Sequence, residues 1–219
     1  MIQEYSLFLW KLAYGLVCLL AIGFLLRGWI GGKDRRLESF YFLWLCFAVL
    51  VWSGCSLLNL MLPSPQAAEI FNSLRYLGVL FVPGLLCLHV WKQVSYKDIT
   101  PTVVLSYLGV PIVLTLWIII GLPAERPILP FFTDGPVSWE GFLFGGYTVV
   151  MIVRSYLLCF NVFYQMPRHM RRSTYYMLYA ISAGTILLFG NFMLERTPFI
   201  VITPIATIVM KLCLLDACS

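Results

Sequence analysis

Seven apolar stretches, separated by short polar connections, occupy almost all of this 219-residue chain. They are residues 6–30, 39–62, 69–94, 102–122, 140–165, 174–194 and 199–215. Each is close to the roughly 20 residues that a helix needs to cross about 30 Å of hydrocarbon. The connections leave too little chain for a soluble domain. The sequence therefore predicts an all-α integral membrane bundle, a single domain of seven transmembrane helices over residues 1–219.

The composition excludes an ordinary soluble domain, because 61% of the residues are hydrophobic and only 11% are charged. The first stretch could be confused with a signal peptide. However, Arg27 follows it where a stop-transfer flank is expected, and no small-residue cleavage site is present. We therefore expect a retained first helix.

The distribution of lysine and arginine predicts the orientation of the bundle. Of 15 basic residues, ten lie at the connections and helix ends of one side, two (Arg126 and Arg196) lie on the other side, and three lie inside the stretches. Basic residues accumulate on cytoplasmic flanks. The N-terminus is therefore expected outside and the C-terminus in the cytoplasm, in a multi-pass protein of the cytoplasmic membrane. The net charge of +5 then comes mostly from basic residues at the cytoplasmic ends of the helices, and no nucleic-acid partner is expected.

Prolines mark one long connection and three helix interiors. The segment 123–139 carries four prolines and is expected to lie over the outer mouth, either as a functional cap or as a tolerated surface loop. Pro83, Pro111 and Pro204 lie within the third, fourth and seventh stretches. They should bend their helices and leave backbone carbonyls free to accept hydrogen bonds.

Polar side chains within the outer third of the bilayer are the first functional clue, because such groups normally face the bundle interior with a partner. They are Lys11, Asn72, Arg75, Asn191 and Glu195. Asn72 and Arg75 share one helix face, as do Asn191 and Glu195. Two interpretations remain open: these faces form a ligand site, or Arg75 pairs with Glu195 or Glu69 only to hold helices together.

Arg154 is the second clue, because about 13 residues separate it from either end of its stretch. A side chain at that depth must be satisfied locally. Asn161 and Gln165 follow on the same helical stripe and predict an inward polar seam. Arg154 is expected to be either a structural hydrogen-bonding group or part of a ligand or switch site.

Several chemistries lack the residues they need. Every Asp and Glu lies at or near the end of a stretch, which argues against an ion-coupled pump. His89 and His169 lie in different settings, and no Cys/His spacing suggests a metal site or a catalytic triad. We expect no catalytic residues, no metal and no cofactor, and hence no enzyme activity in this chain.

Short motifs in four of the stretches give the chain a family resemblance. They are Leu50-Val51-Trp52-Ser53-Gly54, Leu74-Arg75-Tyr76-Leu77-Gly78 followed by Pro83, Phe189-Gly190-Asn191, Ile202-Thr203-Pro204 and the final Leu214-Leu215-Asp216. Together they resemble the seven-helix N-terminal sensor region of bacterial membrane histidine kinases, over nearly the whole chain. The family usually continues into a kinase or cyclase module, whereas no kinase motif occurs here.

The resemblance implies a receptor or sensor module for two-component signal transduction. Such a module would detect a small ligand or a membrane signal in its outer half and relay it to a cytoplasmic effector such as a histidine kinase, acting as a homodimer. Any phosphotransfer would belong to a partner or to a missing C-terminal part. The candidate ligand-binding residues are Asn72, Arg75, Tyr76, Arg154, Asn191 and Glu195. The alternatives are a small-solute transporter or permease component, and an accessory subunit of a larger membrane complex.

Overall fold

A computed structural model describes residues 2–30, 40–62, 65–94, 99–121 and 139–165, together with six residues between 174 and 182. Regular structure in these ranges is entirely α-helical. The helices are α1 (Ile2–Ile30), α2 (Phe40–Met61), α3 (Pro65–Val94), α4 (Pro101–Gly121) and α5 (Trp139–Gln165). The six residues of the sixth predicted stretch are also helical. The seventh stretch, the proposed cap at 123–138 and Pro204 lie outside the described residues.

The helix boundaries differ from the predicted ones by at most four residues. α3 and α4 both start earlier than predicted for the same reason, because α3 begins at Pro65 and α4 begins at Pro101. Proline is favoured at the first position of a helix, because the N–H it lacks would have no intrahelical partner there. Pro83 and Pro111 lie inside α3 and α4, and the bends expected at these two residues stay a prediction.

The helices have the dimensions and surface of membrane spans. Phe40–Met61, Leu74–Lys92 and Leu143–Gln165 are each long and apolar enough to cross a bilayer, and Pro101–Trp117 is a shorter apolar helix. Large apolar side chains cover the outside, among them Leu19, which is 69% exposed. Water would penalise such a surface and lipid does not. The chain is therefore a membrane protein.

α3 is the central helix of the described bundle. It packs against α2, α4 and α5, while α1 packs against α2. All eight residues from Pro83 to Val90 are buried. A helix that is apolar on all sides is expected at the centre of a bundle, and this segment follows that rule.

Gly78 allows α2 to approach α3 closely. A Cβ atom at this position would lie 2.5 Å from the carbonyl oxygen of Ala48 and 2.6 Å from the backbone nitrogen of Trp52. Only glycine leaves room for such a backbone approach. Two of the motifs found in the sequence, those that contain Trp52 and Gly78, are therefore in direct contact.

The predicted inward polar seam on α5 is wrong, because Arg154 is exposed, as are the two residues that follow it on the stripe. Asn161 and Gln165 are exposed, whereas the buried stripe of α5 includes Met151, Ser155 and Cys159. Apolar and small side chains decide which face of α5 meets α3, and the amides are left on another face.

Candidate functional site

The first polar site is the Arg75 cluster, which we define as Arg75, Tyr76, Tyr14 and Ser56. Nη2 of Arg75 donates a long hydrogen bond of 3.4 Å to the hydroxyl of Tyr76, and its Cζ lies 5.1 Å from the centre of the Tyr76 ring. Tyr14 of α1 lies near the side chain of Ser56 and within electrostatic range of Arg75. The cluster therefore joins α1, α2 and α3 around one cation.

Tyr76 gives the Arg75 cluster a rigid wall. Its side chain is only 6% exposed and packs against Leu80 of the same helix and Leu114 of α4. Arg75 itself is half-buried. A fixed aromatic ring beside a partly accessible guanidinium is an arrangement that can bind an anionic or carbonyl group.

Three of the predicted site residues cannot be placed in contact with this cluster. Asn72 lies in α3 one turn before Tyr76, and its side chain is not among those described. Asn191 and Glu195 lie outside the described residues. A pair between Arg75 and Glu195 therefore stays a prediction.

The second polar site is the Arg154 cluster, which we define as Arg154, Tyr107 and Trp91. Nε of Arg154 donates to the hydroxyl of Tyr107. Its Cζ lies 5.2 Å from the centre of the Tyr107 ring and 5.7 Å from that of Trp91. The two rings contact each other edge to face at 6.0 Å. The guanidinium thus has both a hydrogen bond and two aromatic contacts, while the side chain as a whole is exposed.

The aromatic partners of Arg154 lie near one end of the described bundle. Trp91 is three residues before the end of α3, and Tyr107 is six residues after the start of α4. The cluster is therefore about 5 to 9 Å from these helix ends. Along α5, Arg154 lies eleven residues from either end of the apolar span Leu143–Gln165, while its guanidinium contacts residues near the ends of α3 and α4.

The two clusters lie at opposite ends of the described bundle. Arg75 and Trp91 are sixteen residues apart on α3, which corresponds to about 24 Å along the helix. The predicted set of ligand-binding residues therefore divides, with Arg75 and Tyr76 at one end and Arg154 at the other.

A hydrogen bond between α4 and α5 lies beside the Arg154 cluster. The Tyr147 hydroxyl donates to the backbone carbonyl of Tyr107 at 2.8 Å. That carbonyl lies four residues before Pro111, so proline has removed the N–H that would normally reach it. Sequence reasoning missed Tyr107 and Tyr147, although the spacing from Pro111 identifies the carbonyl that needs a partner.

Gly84 makes room for this hydrogen bond. A Cβ atom there would meet the hydroxyl of Tyr147 and would lie 2.7 Å from the carbonyl oxygen of Tyr107. α3, α4 and α5 therefore meet at one point, immediately after the proline at position 83.

An apolar groove of about 440 Å³ lies between α2, α3 and α4. Phe40, Trp44 and Phe47 form one wall, with Gly78 and Leu108 opposite. The aromatic side chains are exposed, so the groove faces the surroundings of the bundle. Its lining is almost entirely apolar and offers no charge to a polar ligand.

Neither a metal site nor a nucleophilic site is found among the residues that the structure describes. They contain no group of three or more His, Cys, Asp and Glu side chains that could hold a metal ion. The five described cysteines are free thiols. His89 is fully buried and packs against Phe42, with ring centres 5.2 Å apart.

Comparison with known proteins places almost the entire chain in one family. Residues 12–218 match the family model described as the N-terminal 7TM region of histidine kinase. No curated protein matches the chain. The match includes both polar clusters and the contact between Trp52 and Gly78.

Proposed function

Because this chain belongs to the family of N-terminal seven-transmembrane regions of histidine kinases, we propose that it is a sensor module that controls a cytoplasmic histidine kinase. The family match over residues 12–218 is the observation that carries this proposal. The matched region is the transmembrane part of such kinases and not their phosphotransfer part. The kinase is therefore a partner or a further part of the same protein.

We place the signal-binding site at the Arg75 cluster, in the outer half of a seven-helix bundle in the cytoplasmic membrane. The positive-inside distribution of basic residues supports this orientation, with the N-terminus outside and the C-terminus inside. The end of the bundle where α2 ends and α3 begins is then the outer end. Arg75 and Tyr76 supply a cation, a phenol and a rigid aromatic wall.

The charge of this site favours a small anionic or carbonyl-bearing signal. Arg75 is a cation, and its described neighbours Tyr76, Tyr14 and Ser56 are neutral hydroxyl groups. Lys11 adds a second positive charge on α1, three residues before Tyr14. An arginine can bind a carboxylate through two parallel hydrogen bonds.

The signal would pass through α3, which carries the Arg75 cluster at one end and Trp91 at the other. A ligand shifts such a helix only if it binds one of its arrangements more tightly than the other. We further propose that the module works as a homodimer. Gly145 and Gly146 support this, because they are exposed on α5 with no atom near the Cβ position.

The ligand site is tested by thermal unfolding of the purified protein with acetate, succinate and inorganic phosphate as probes. At least one probe should raise the melting temperature of the wild type and of Arg154→Gln, a matched control at the other end of the bundle. Arg75→Ala should fold and lose that response.

A structural role for Arg75 would give a different result. Arg75→Ala would then lower the melting temperature by leaving Glu195 unpaired, and Arg75→Ala combined with Glu195→Gln would restore it through the coupling of neighbouring groups. Such restoration, together with no response of the wild type to any probe, would refute the ligand site.

A further inference from the structure

The side chain of Arg154 is exposed, and its guanidinium makes few of the hydrogen bonds it can donate. Of its five N–H donors, one bonds the hydroxyl of Tyr107. Within the ranges that the structure describes, neither Nη1 nor Nη2 has a hydrogen-bond partner. A cation at the surface of a membrane bundle is costly unless it meets an anion or water.

The side chain is held in place before any partner arrives. The hydrogen bond to Tyr107 fixes Nε, and the rings of Tyr107 and Trp91 lie within 5.7 Å of Cζ. Little rotamer freedom remains to be lost on binding, which favours affinity. The Nη nitrogens form a fork that matches two oxygens of a phosphate.

The aromatic partners of Arg154 place its guanidinium toward the end of the bundle where α3 ends and α4 begins. These partners lie about 5 to 9 Å from the ends of α3 and α4. The headgroup layer occupies roughly the outer 5 to 8 Å of each side of a bilayer, and a long arginine side chain can reach it.

Apolar side chains next to Arg154 provide a surface for acyl chains. Val150, Val153 and Leu157 precede and follow it on α5 and are 57%, 50% and 56% exposed. Leu105 of α4, two residues before Tyr107, is 63% exposed. A phosphate-binding fork thus lies at the edge of a lipid-facing surface.

We infer that Arg154 binds the phosphate of an anionic membrane phospholipid, with the acyl chains of that lipid along α5 and α4. The same fork would accept a free phosphate ion. The exposed apolar surface beside it favours the lipid as the source. The site is distinct from the Arg75 cluster, and the inference does not depend on the proposed function.

Native mass spectrometry in a mild detergent tests the inference with phosphatidylglycerol and phosphatidylcholine of identical acyl chains. The wild type should retain phosphatidylglycerol in preference to phosphatidylcholine. Arg154→Gln should weaken phosphatidylglycerol binding by about tenfold, the order expected for one lost charge-assisted hydrogen bond. Arg75→Gln, the same substitution at the other guanidinium, should leave it unchanged.

Two further measurements separate the alternatives. Arg154→Lys keeps the charge and loses the fork, so it should weaken phosphatidylglycerol binding several-fold even if Arg154→Gln fails to fold. Inorganic phosphate at the same concentration should not displace the lipid. Displacement of the lipid by inorganic phosphate at that concentration, or unchanged lipid binding in the Arg154 variants, would overturn the inference.

One acidic residue, Asp98, lies in the connection between α3 and α4 and is the competitor within the chain that we test. Asp98→Asn should leave the lipid preference unchanged. If the wild type shows no preference and Asp98→Asn acquires one, then the carboxylate of Asp98 occupies Arg154 and the inference is wrong.

Discussion

Gly78→Ala should separate α2 from α3. Its Cβ would lie 2.5 Å from the carbonyl oxygen of Ala48, whereas ordinary contact begins at 3.4 Å, so the shortfall is 0.9 Å. The nearest atoms belong to the backbone of α2 and cannot rotate away. A gap of this size forfeits about a quarter to a half of each dispersion contact across the interface.

The expected cost follows from two opposing terms. Overpacking of a tight interface costs about 1 to 3 kcal/mol, and replacing a helical glycine by alanine gains about 1 kcal/mol. Since the clash involves backbone atoms, we expect the upper part of the first range and a net loss of about 1 to 2 kcal/mol. Reversible unfolding in mixed micelles measures the free energy of unfolding directly.

Two other glycines provide matched controls for Gly78→Ala. A Cβ at Gly54 of α2 or at Gly109 of α4 would meet no atom within 4 Å. Alanine at either position should leave the free energy of unfolding unchanged or raise it by up to about 1 kcal/mol. If Gly78→Ala is as stable as these controls, the backbone contact between α2 and α3 does not limit packing, and the reasoning fails.

Three further predictions concern topology, the α4–α5 contact and association. A reporter fused after Ser219 should be cytoplasmic and one inserted near Gly135 external; the reverse result at both sites would overturn the orientation. Tyr147→Phe should lower the free energy of unfolding by about 1 kcal/mol, because the carbonyl freed by proline loses its donor, whereas Tyr164→Phe at an exposed position should have no effect. Gly145→Ile should weaken a homodimer measured by mass in native membranes, and a wild-type monomer there would contradict the dimer.

The existence of the helices could be predicted from the sequence because hydropathy is a local property. Each span is set by its own apolar residues, so α2 and α5 begin and end within one residue of expectation. Arg75 and Arg154 could be singled out for the same reason, because a charged residue within an apolar stretch is evident from the sequence alone.

The partners of these charges could not be predicted, because they depend on which helix faces meet. Tyr107 and Trp91 become neighbours of Arg154 only after α3, α4 and α5 pack together. The free carbonyl of Tyr107 could have been predicted from the sequence, because Pro111 lacks the N–H that would bond the carbonyl four residues earlier.

Pro83 makes α3 a lever with two arms. The arm from Pro83 to Val94 is about 16 Å long and ends beside the Arg154 cluster, and the other arm carries Arg75. The missing backbone hydrogen bond at the proline lowers the resistance to bending there. A change of about 10° in the angle between the arms would move the far end by about 3 Å, comparable with the helix shifts that transmit signals between sites. Residues that never touch the signal, including those that fix Tyr147 at Gly84, would then set how stiff the lever is and how much of a displacement at one end arrives at the other.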